Sequence, residues 1–341
     1  MESYVSVDLH RRRSLVMRRC GDGSTVSVRV DNSPANLVEA VFAGGGEPVV
    51  AIEATYGWYW AADCLEAAGA RVHLVHPLGL NWGSRRVKSD HTDAEALLDL
   101  LERGRLPEAW ISPPHVRELR ELVRGRHKLV GDRTRYKNQV HGILAKHGLI
   151  PTVTDVFGTR GRRWLETVPV EGAYRHRVDV LVGFVDHLNV EIDRYDEIIA
   201  VVVKADPAYR ALLKIPQVGP VLAAVFIAEI GDISRFGNAD QLACWVGLTP
   251  RERSSDTKTR HGSISKQGSR LVRWAAVEAS VKQRKGSHFY NEYQRHLERR
   301  GRPGIARVAV ARKLMRLVFY AMRDHEIRCL DNDTTSNGQA A

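Results

Sequence analysis

The sequence holds only four cysteines, Cys20, Cys64, Cys244 and Cys329, and no two of them stand in a Cys-x-x-Cys spacing. That excludes a zinc knuckle, gives no basis for a disulfide framework and fits a reducing cytoplasm. Apolar runs are short: "VLAAVFIA" at 221–228 has the length of a buried helix, well under the roughly 18 residues of a membrane span. The opening "MESYVSVDLH" carries no signal-peptide pattern, so a soluble protein is expected. No internal repeat is visible. Acid is the scarcer charge. Against 51 Lys+Arg stand 40 Asp+Glu, a formal net charge of +11, which points to a polyanionic partner. At 43% hydrophobic and 27% charged, the 341 residues are otherwise ordinary for a globular protein of two or three domains.

The charge is uneven. Residues 1–100 hold 10 Lys+Arg and 13 Asp+Glu, whereas residues 251–300 hold 13 and 5. The electrostatic footprint therefore lies toward the carboxyl end. Acids concentrated in the amino-terminal third of a basic chain invite a metal-site reading.

"YVSVDL", "SLVMRRC" and "TVSVRV" read as three strands in hairpin connection, separated by "RRR" and "GDGS". "SPANLVEAVFAGG" is a helix that Ser33 caps and Pro34 opens. "PVVAIEAT" has the continuous apolar character of a buried parallel strand, followed by the helix "GWYWAADCLEAAG" and the strand "RVHLVHP". "KSDHTDAEALLDLLERG" closes the domain as a helix with Ala94, Leu97, Leu98 and Leu101 on one face. The order β-β-β-α-β-α-β-α predicts an RNase H-like α/β domain over 1–110.

"PEAWISPPH", at 107–115, reads as a linker. Long helical segments at about 115–148 and 173–204 follow, the second with a seam of Val178, Leu181, Val185, Leu188, Ile192, Tyr195, Ile199 and Val202. They make 111–205 a coiled-coil region, either a projecting dimerisation hairpin or part of an intramolecular bundle. A mostly helical domain is expected over 206–325, and a disordered polar tail over 326–341.

Three constellations carry chemistry. The predicted topology brings Asp8, Glu53, Asp90 and Asp93 together at the sheet centre. Four buried carboxylates repel unless a cation neutralises them, and an oxygen set of this kind suits Mg²⁺ or Mn²⁺ in phosphoryl transfer. Individually, Asp90 or Asp93 is also a reasonable helix cap, and Asp8 a partner for one of Arg11 to Arg13. The second is "IPQVGP", 215–220, a helix-hairpin-helix turn in which Gly219 would leave backbone N–H groups open to a phosphate. The third is "GLTPRERSSDTKTRHGSISKQGSRLVRW", 247–274, a loop leading into a basic helix. Its Arg251, Arg253, Lys258, Arg260, Lys266, Arg270 and Arg273 form a phosphate-binding surface around Ser254 and Ser255. A serine among cations is a potential nucleophile, although no local His-Asp pair activates it and His261 is a loose candidate.

"VDLH", "IEAT", "KSDHTDAEAL", "IPQVGPVLAAVFIAEIGDISRF" and "LACWVGLTPRERSSDTKTRHGSISKQGSRLVR" stand in the order found in the IS-one-ten family of insertion-sequence transposases. Over roughly residues 3–323 the chain resembles that family, the bridge-RNA-guided DEDD recombinases, to which Piv-type DNA invertases are related. The resemblance implies a RuvC-like domain, a coiled-coil insertion and a carboxy-terminal transposase domain. It implies Asp8, Glu53, Asp90 and Asp93 as a Mg²⁺ tetrad and Ser255 as a catalytic serine forming a covalent phosphoserine. It also implies DNA ends and target, a structured noncoding guide RNA, a dimer or tetramer, and a bacterial cytoplasmic protein associated with the nucleoid when active.

Two positions depart from the family pattern. Asp256 follows the serine where glycine is usual, so Ser254 stays an alternative nucleophile, and Gln217 replaces the first glycine of the hairpin turn. A hydrolytic RuvC-like nuclease without a covalent step, and a catalytically silent nucleic-acid-binding protein, are the alternative functions.

Overall fold

The computed structural model describes residues 2–80, 89–255, 258–281 and 283–327, with backbone alone for 253–255 and 258–261. The chain divides into two units, residues 1–112 and 113–341.

The first unit is built on a six-stranded sheet. β1 (Glu2–Leu9), β2 (Arg13–Arg19) and β3 (Thr25–Asp31) form an antiparallel meander. β4 (Glu47–Glu53) and β5 (Arg71–Val75) then add in parallel beside β1. The strand order is β3-β2-β1-β4-β5-β6, where β6 is the two-residue Glu108–Ala109. The linker expected at 107–115 thus begins by pairing antiparallel with β5. β4 is buried from Pro48 to Ile52, as its apolar run requires in a sheet covered on both faces.

Side-chain alternation sorts the two faces. Val5, Val7, Leu9, Val50 and Ile52 pack with α1 (Pro34–Phe42) and α2 (Trp58–Ala67). Val49, Ala51, Leu15 and Met17 pack with α3 (Asp90–Glu102) on the opposite face. Ser33 caps α1 by accepting from the Asn36 N–H at 3.1 Å.

The second unit opens with α4 (Pro114–Lys146) and α6 (Gly172–Val203), linked through α5 (Thr159–Thr167). Arg126 pairs with Asp196, Arg133 with Asn189 and Arg177 with Gln139, so the long helices run antiparallel. Val178, Leu181, Val185, Ile192 and Ile199 of the expected seam are buried. Leu188 and Tyr195 are half-buried, and Val202 is exposed while Val203 turns inward. The seam is filled by α4 of the same chain.

The remaining core gathers α7 (Pro207–Leu212), α8 (Pro220–Ile230), α9 (Ala239–Trp245), α10 (Arg270–Val281), α11 (His288–Arg300) and α12 (Pro303–Asp324) around Phe226, Leu212, Ile215 and Phe319. Residues 250–264, read from sequence as loop, instead form a hairpin of β7 (Pro250–Ser255) and β8 (Lys258–Ile264). Its polar side chains give no apolar alternation, and backbone pairing alone makes it a sheet. Among the described residues, no helix is long and apolar enough to cross a membrane.

Candidate active site

In the first unit the site is set by β1 and α3. Ser6 lies on the α3 face, and its hydroxyl donates to the Ala94 carbonyl at 2.7 Å in a buried contact. This pins the first turn of α3 against β1. Two residues on, Asp8 projects from the same face, 14% exposed. β4 runs parallel to β1 with Val7 opposite Ile52, so Asp8 and Glu53 end neighbouring strands. Alternation after Val49 and Ala51 puts Glu53 on the α3 face as well.

Ser89 caps α3, accepting from the Thr92 N–H at 3.2 Å. The capping role considered for Asp90 or Asp93 therefore belongs to Ser89, because the residue before the helix has the extended backbone that a cap needs. Asp90 is the first helical residue, and Asp93 is buried at 7% exposure. A carboxylate this buried needs compensation by partners or a cation.

His10, which sequence reasoning did not single out, joins the acids. Its Nε2 lies 3.5 Å from Asp8 Oδ2 and 3.3 Å from Asp90 Oδ1. Arg29 of β3 donates to Asp90 Oδ2 at 3.1 Å. The hydrogen bond to His10 holds the Asp90 carboxyl below its ordinary value against the opposing effect of burial, and the charges of His10 and Arg29 reinforce it. Asp8 thus faces His10, whereas Arg13, one of its suggested partners, pairs with Asp31 at 2.8 Å.

Ligand atoms of Asp8, His10 and Asp90 all lie within 4.8 Å of one another, close enough to share one cation. Two carboxylates, one from β1 and one from the start of α3, suit a hard divalent ion. Glu53 and Asp93 are not part of this three-residue cluster.

In the second unit, β7 and β8 pair Arg253 with Arg260, Ser254 with Thr259 and Ser255 with Lys258. Asp256 lies outside the described residues, as do the side chains of Arg253, Ser254, Ser255, Lys258, Arg260 and His261. The base of the hairpin is locked by two glycines at φ of +77° and +71°, Gly247 and Gly268. A Cβ on Gly247 would fall 2.3 Å from the Gln267 carbonyl oxygen, and one on Gly268 would fall 1.8 Å from that of Trp245. Only glycine permits this approach.

Behind it, Arg124 of α4 binds buried Glu229 through both carboxylate oxygens at 2.6 and 3.1 Å. Ser269 donates its hydroxyl to the same carboxylate at 3.0 Å while capping α10. Of the cations expected on the phosphate surface, Arg251, Lys266 and Arg270 are exposed. Arg273 turns inward, donating to the Val246 and Gln267 carbonyls at 2.7 and 3.0 Å. Burial, and then the charge of Arg270, push its guanidinium down. It holds the loop rather than facing solvent.

The "IPQVGP" turn joins α7 to α8. Gln217 adopts φ of +66°, the left-handed backbone that a glycine there would take without strain. Gly219 has an unremarkable φ of −84° and open space where a Cβ would stand, and no side chain caps the start of α8.

A transposase model of the DEDD type for IS110 elements matches residues 16–148, and a model described as "Transposase IS116/IS110/IS902 family" matches 209–294. A "Probable family 20 transposase" of Pseudomonas aeruginosa is 29% identical over 65% of this chain and 67% of its own. The transposase for insertion sequence element IS1328 of Yersinia enterocolitica is 25% identical over 68% and 70%. The transposase for IS1111A of Coxiella burnetii is 25% identical over 62% and 59%. With both domain models matched in chain order and curated transposases aligned across most of its length, the chain belongs to the IS110/IS116/IS902 family of insertion-sequence transposases.

Proposed function

We propose that the chain cuts and rejoins DNA at insertion-sequence ends through a covalent serine intermediate. The observation that carries this reading is the convergence of Asp8 and Asp90, from separate elements, beside His10 in a transposase of the DEDD type. Asp8, Glu53, Asp90 and Asp93 would hold Mg²⁺ or Mn²⁺. Such an ion, when bound, offsets charge that develops on the transferred phosphoryl group. Asp8 and Asp90 would hold it from β1 and α3, and the Ser6–Ala94 bond seats α3 beside β1.

The Ser255 hydroxyl attacks the scissile phosphorus, and its proton passes through solvent to the departing 3′ oxygen. The Oγ–P bond forms as the P–O3′ bond breaks, leaving a 5′-phosphoserine and a free 3′-hydroxyl. The incoming strand's 3′-hydroxyl then attacks phosphorus and releases the serine. Arg251, Arg253, Lys258, Arg260, Lys266 and Arg270 lie on the hairpin and the start of α10, where their charge favours the DNA backbone. The uncapped turn at Gly219 offers a further backbone contact. Sequence choice would come from a structured guide RNA, and the acids of one subunit would meet the serine of another in a dimer or tetramer.

Ser255→Ala is expected to abolish strand joining and covalent DNA–protein adducts while complexes still assemble. Ser254→Ala should retain both activities. Adducts formed by Ser255→Ala would overturn the assignment, and cleavage by wild type with no adduct at all would favour the hydrolytic reading.

A further inference from the structure

The second unit has a groove of about 850 Å³ between the base of the β7–β8 hairpin and the first half of α12. One face of α12 lines it. Ile305, Val308 and Ala309 come first, then Arg312 and Arg316, at spacings that place all five on one helical stripe. The core-facing stripe of α12 holds Val310, Leu314 and Val318; half-buried Val308 touches that core from the groove side, and exposed Ile305 does not. Ile305 is 45% exposed.

The cations around this floor differ in their commitments. Arg312 reaches Asp240 at 3.6 Å, and Lys313 pairs with Glu292 at 2.5 Å. Lys266, Arg302 and Arg316 pair with no acid among the described residues. An aliphatic floor with positive charge at both ends is complementary to a chain bearing phosphates on one edge and apolar faces on the other.

We infer that this groove seats single-stranded DNA, with phosphates on Lys266, Arg302 and Arg316 and nucleoside faces over Ile305 and Val308. This rests on the DNA-processing function proposed above. Duplex DNA turns its base faces inward, so it would meet the cations and leave the floor wet. RNA would bring a 2′-hydroxyl to Ile305, Val308 and Ala309, a floor stretch without a hydrogen-bonding side chain, and would lose water without replacement there. The opposite wall includes Pro250 and Ile264, and Ser255 lies five residues along β7 from Pro250, about 17 Å at strand rise. A strand lying in the groove therefore leads toward the hairpin that carries the serine.

The test is fluorescence anisotropy on the full chain with a labelled mixed-sequence 12-mer, presented as single-stranded DNA, duplex DNA and single-stranded RNA. For the Arg302→Ala/Arg316→Ala variant, affinity for single-stranded DNA should fall about tenfold, and the log–log salt slope should flatten by about 1.4, two contacts at about 0.7 each. Ile305→Ser, at an exposed position and with no charge added, should weaken single-stranded DNA but change duplex binding less than twofold. Equal losses for single strand and duplex in the Ile305 variant, no loss of single-strand affinity in either variant, or RNA binding as tight as DNA would each overturn the inference. Strand joining by Ser255→Ala, measured alongside, would remove the serine mechanism while leaving the groove result standing.

Discussion

Gln217 and Gly268 are both held at positive φ, with opposite consequences for substitution. Gln217 is an L-residue in left-handed backbone, at a cost of about 1 kcal/mol. Gln217→Gly should remove that strain and leave the protein as stable or up to about 1 kcal/mol more stable, whereas β-branched Gln217→Val should lose about 1–2 kcal/mol. Urea-denaturation midpoints decide between these outcomes and a neutral site. Gly268 has no such freedom, since its Cβ would overlap the Trp245 carbonyl oxygen at 1.8 Å. Gly268→Ala should therefore cost at least about 2 kcal/mol and move the hairpin base, read as a lowered melting temperature. His10 could have been found from sequence: in "VDLH", Asp8 and His10 are two apart, the spacing of one strand face. Its bond to Asp90, 80 residues away, depends on where α3 lands and is not a local property.

At the scale of elements, α3 and the β7–β8 hairpin show how far periodicity reaches. The apolar stripe of α3 and its cap are local, so the helix was readable, but Ser89 rather than an aspartate supplies the cap. The hairpin was not readable, because its strands lack an apolar face. What fixes its base is tertiary: the glycine interlock, the inward Arg273, and Glu229 joining α4, α8 and the start of α10. Glu229→Gln keeps the shape and removes the charge that Arg124 meets. A loss of about 1–3 kcal/mol is expected, discounted because the Arg124 side chain is 48% exposed. The same variant should slow formation of the serine adduct more than it weakens duplex DNA binding. Equal effects on both readouts would reduce Glu229 to a general stability role.

For the whole molecule, pH acts on the helical unit through Glu292, which is buried between α11 and α12. Burial pushes its carboxyl up, but the hydrogen bond and charge of Lys313, with those of Arg295, outweigh burial and hold it below the ordinary glutamate value. A carboxylate with a depressed folded pKa stabilises above its unfolded pKa, and that contribution is lost as pH falls through the folded value. Wild-type melting temperature should thus drop as pH is lowered below about 4.5, and Glu292→Gln should flatten the drop. An unchanged pH profile in the variant would assign the acid sensitivity to other groups. The coiled-coil region also belongs to this scale: the α6 seam was visible as a spacing of three and four, and it packs on α4 of the same chain as an antiparallel pair.

The sequence by itself determined the order of strands and helices from β1 to α3, the long helices, the Ser33 cap and the excess of positive charge. Each of these depends on residues within one turn, one strand or a summed composition. It also marked Asp8, Glu53, Asp90 and Asp93, since acids at the ends of apolar strands and at a helix start stand out locally. Tertiary structure decided which of them meet. Parallel pairing of β1 with β4 and the buried Ser6–Ala94 bond seat α3, and that seat brings Asp90, with His10, against Asp8. It likewise decided that Arg273 faces inward and that α12 carries a second, groove-facing stripe, because both follow from which neighbours a side chain finds once the chain has closed.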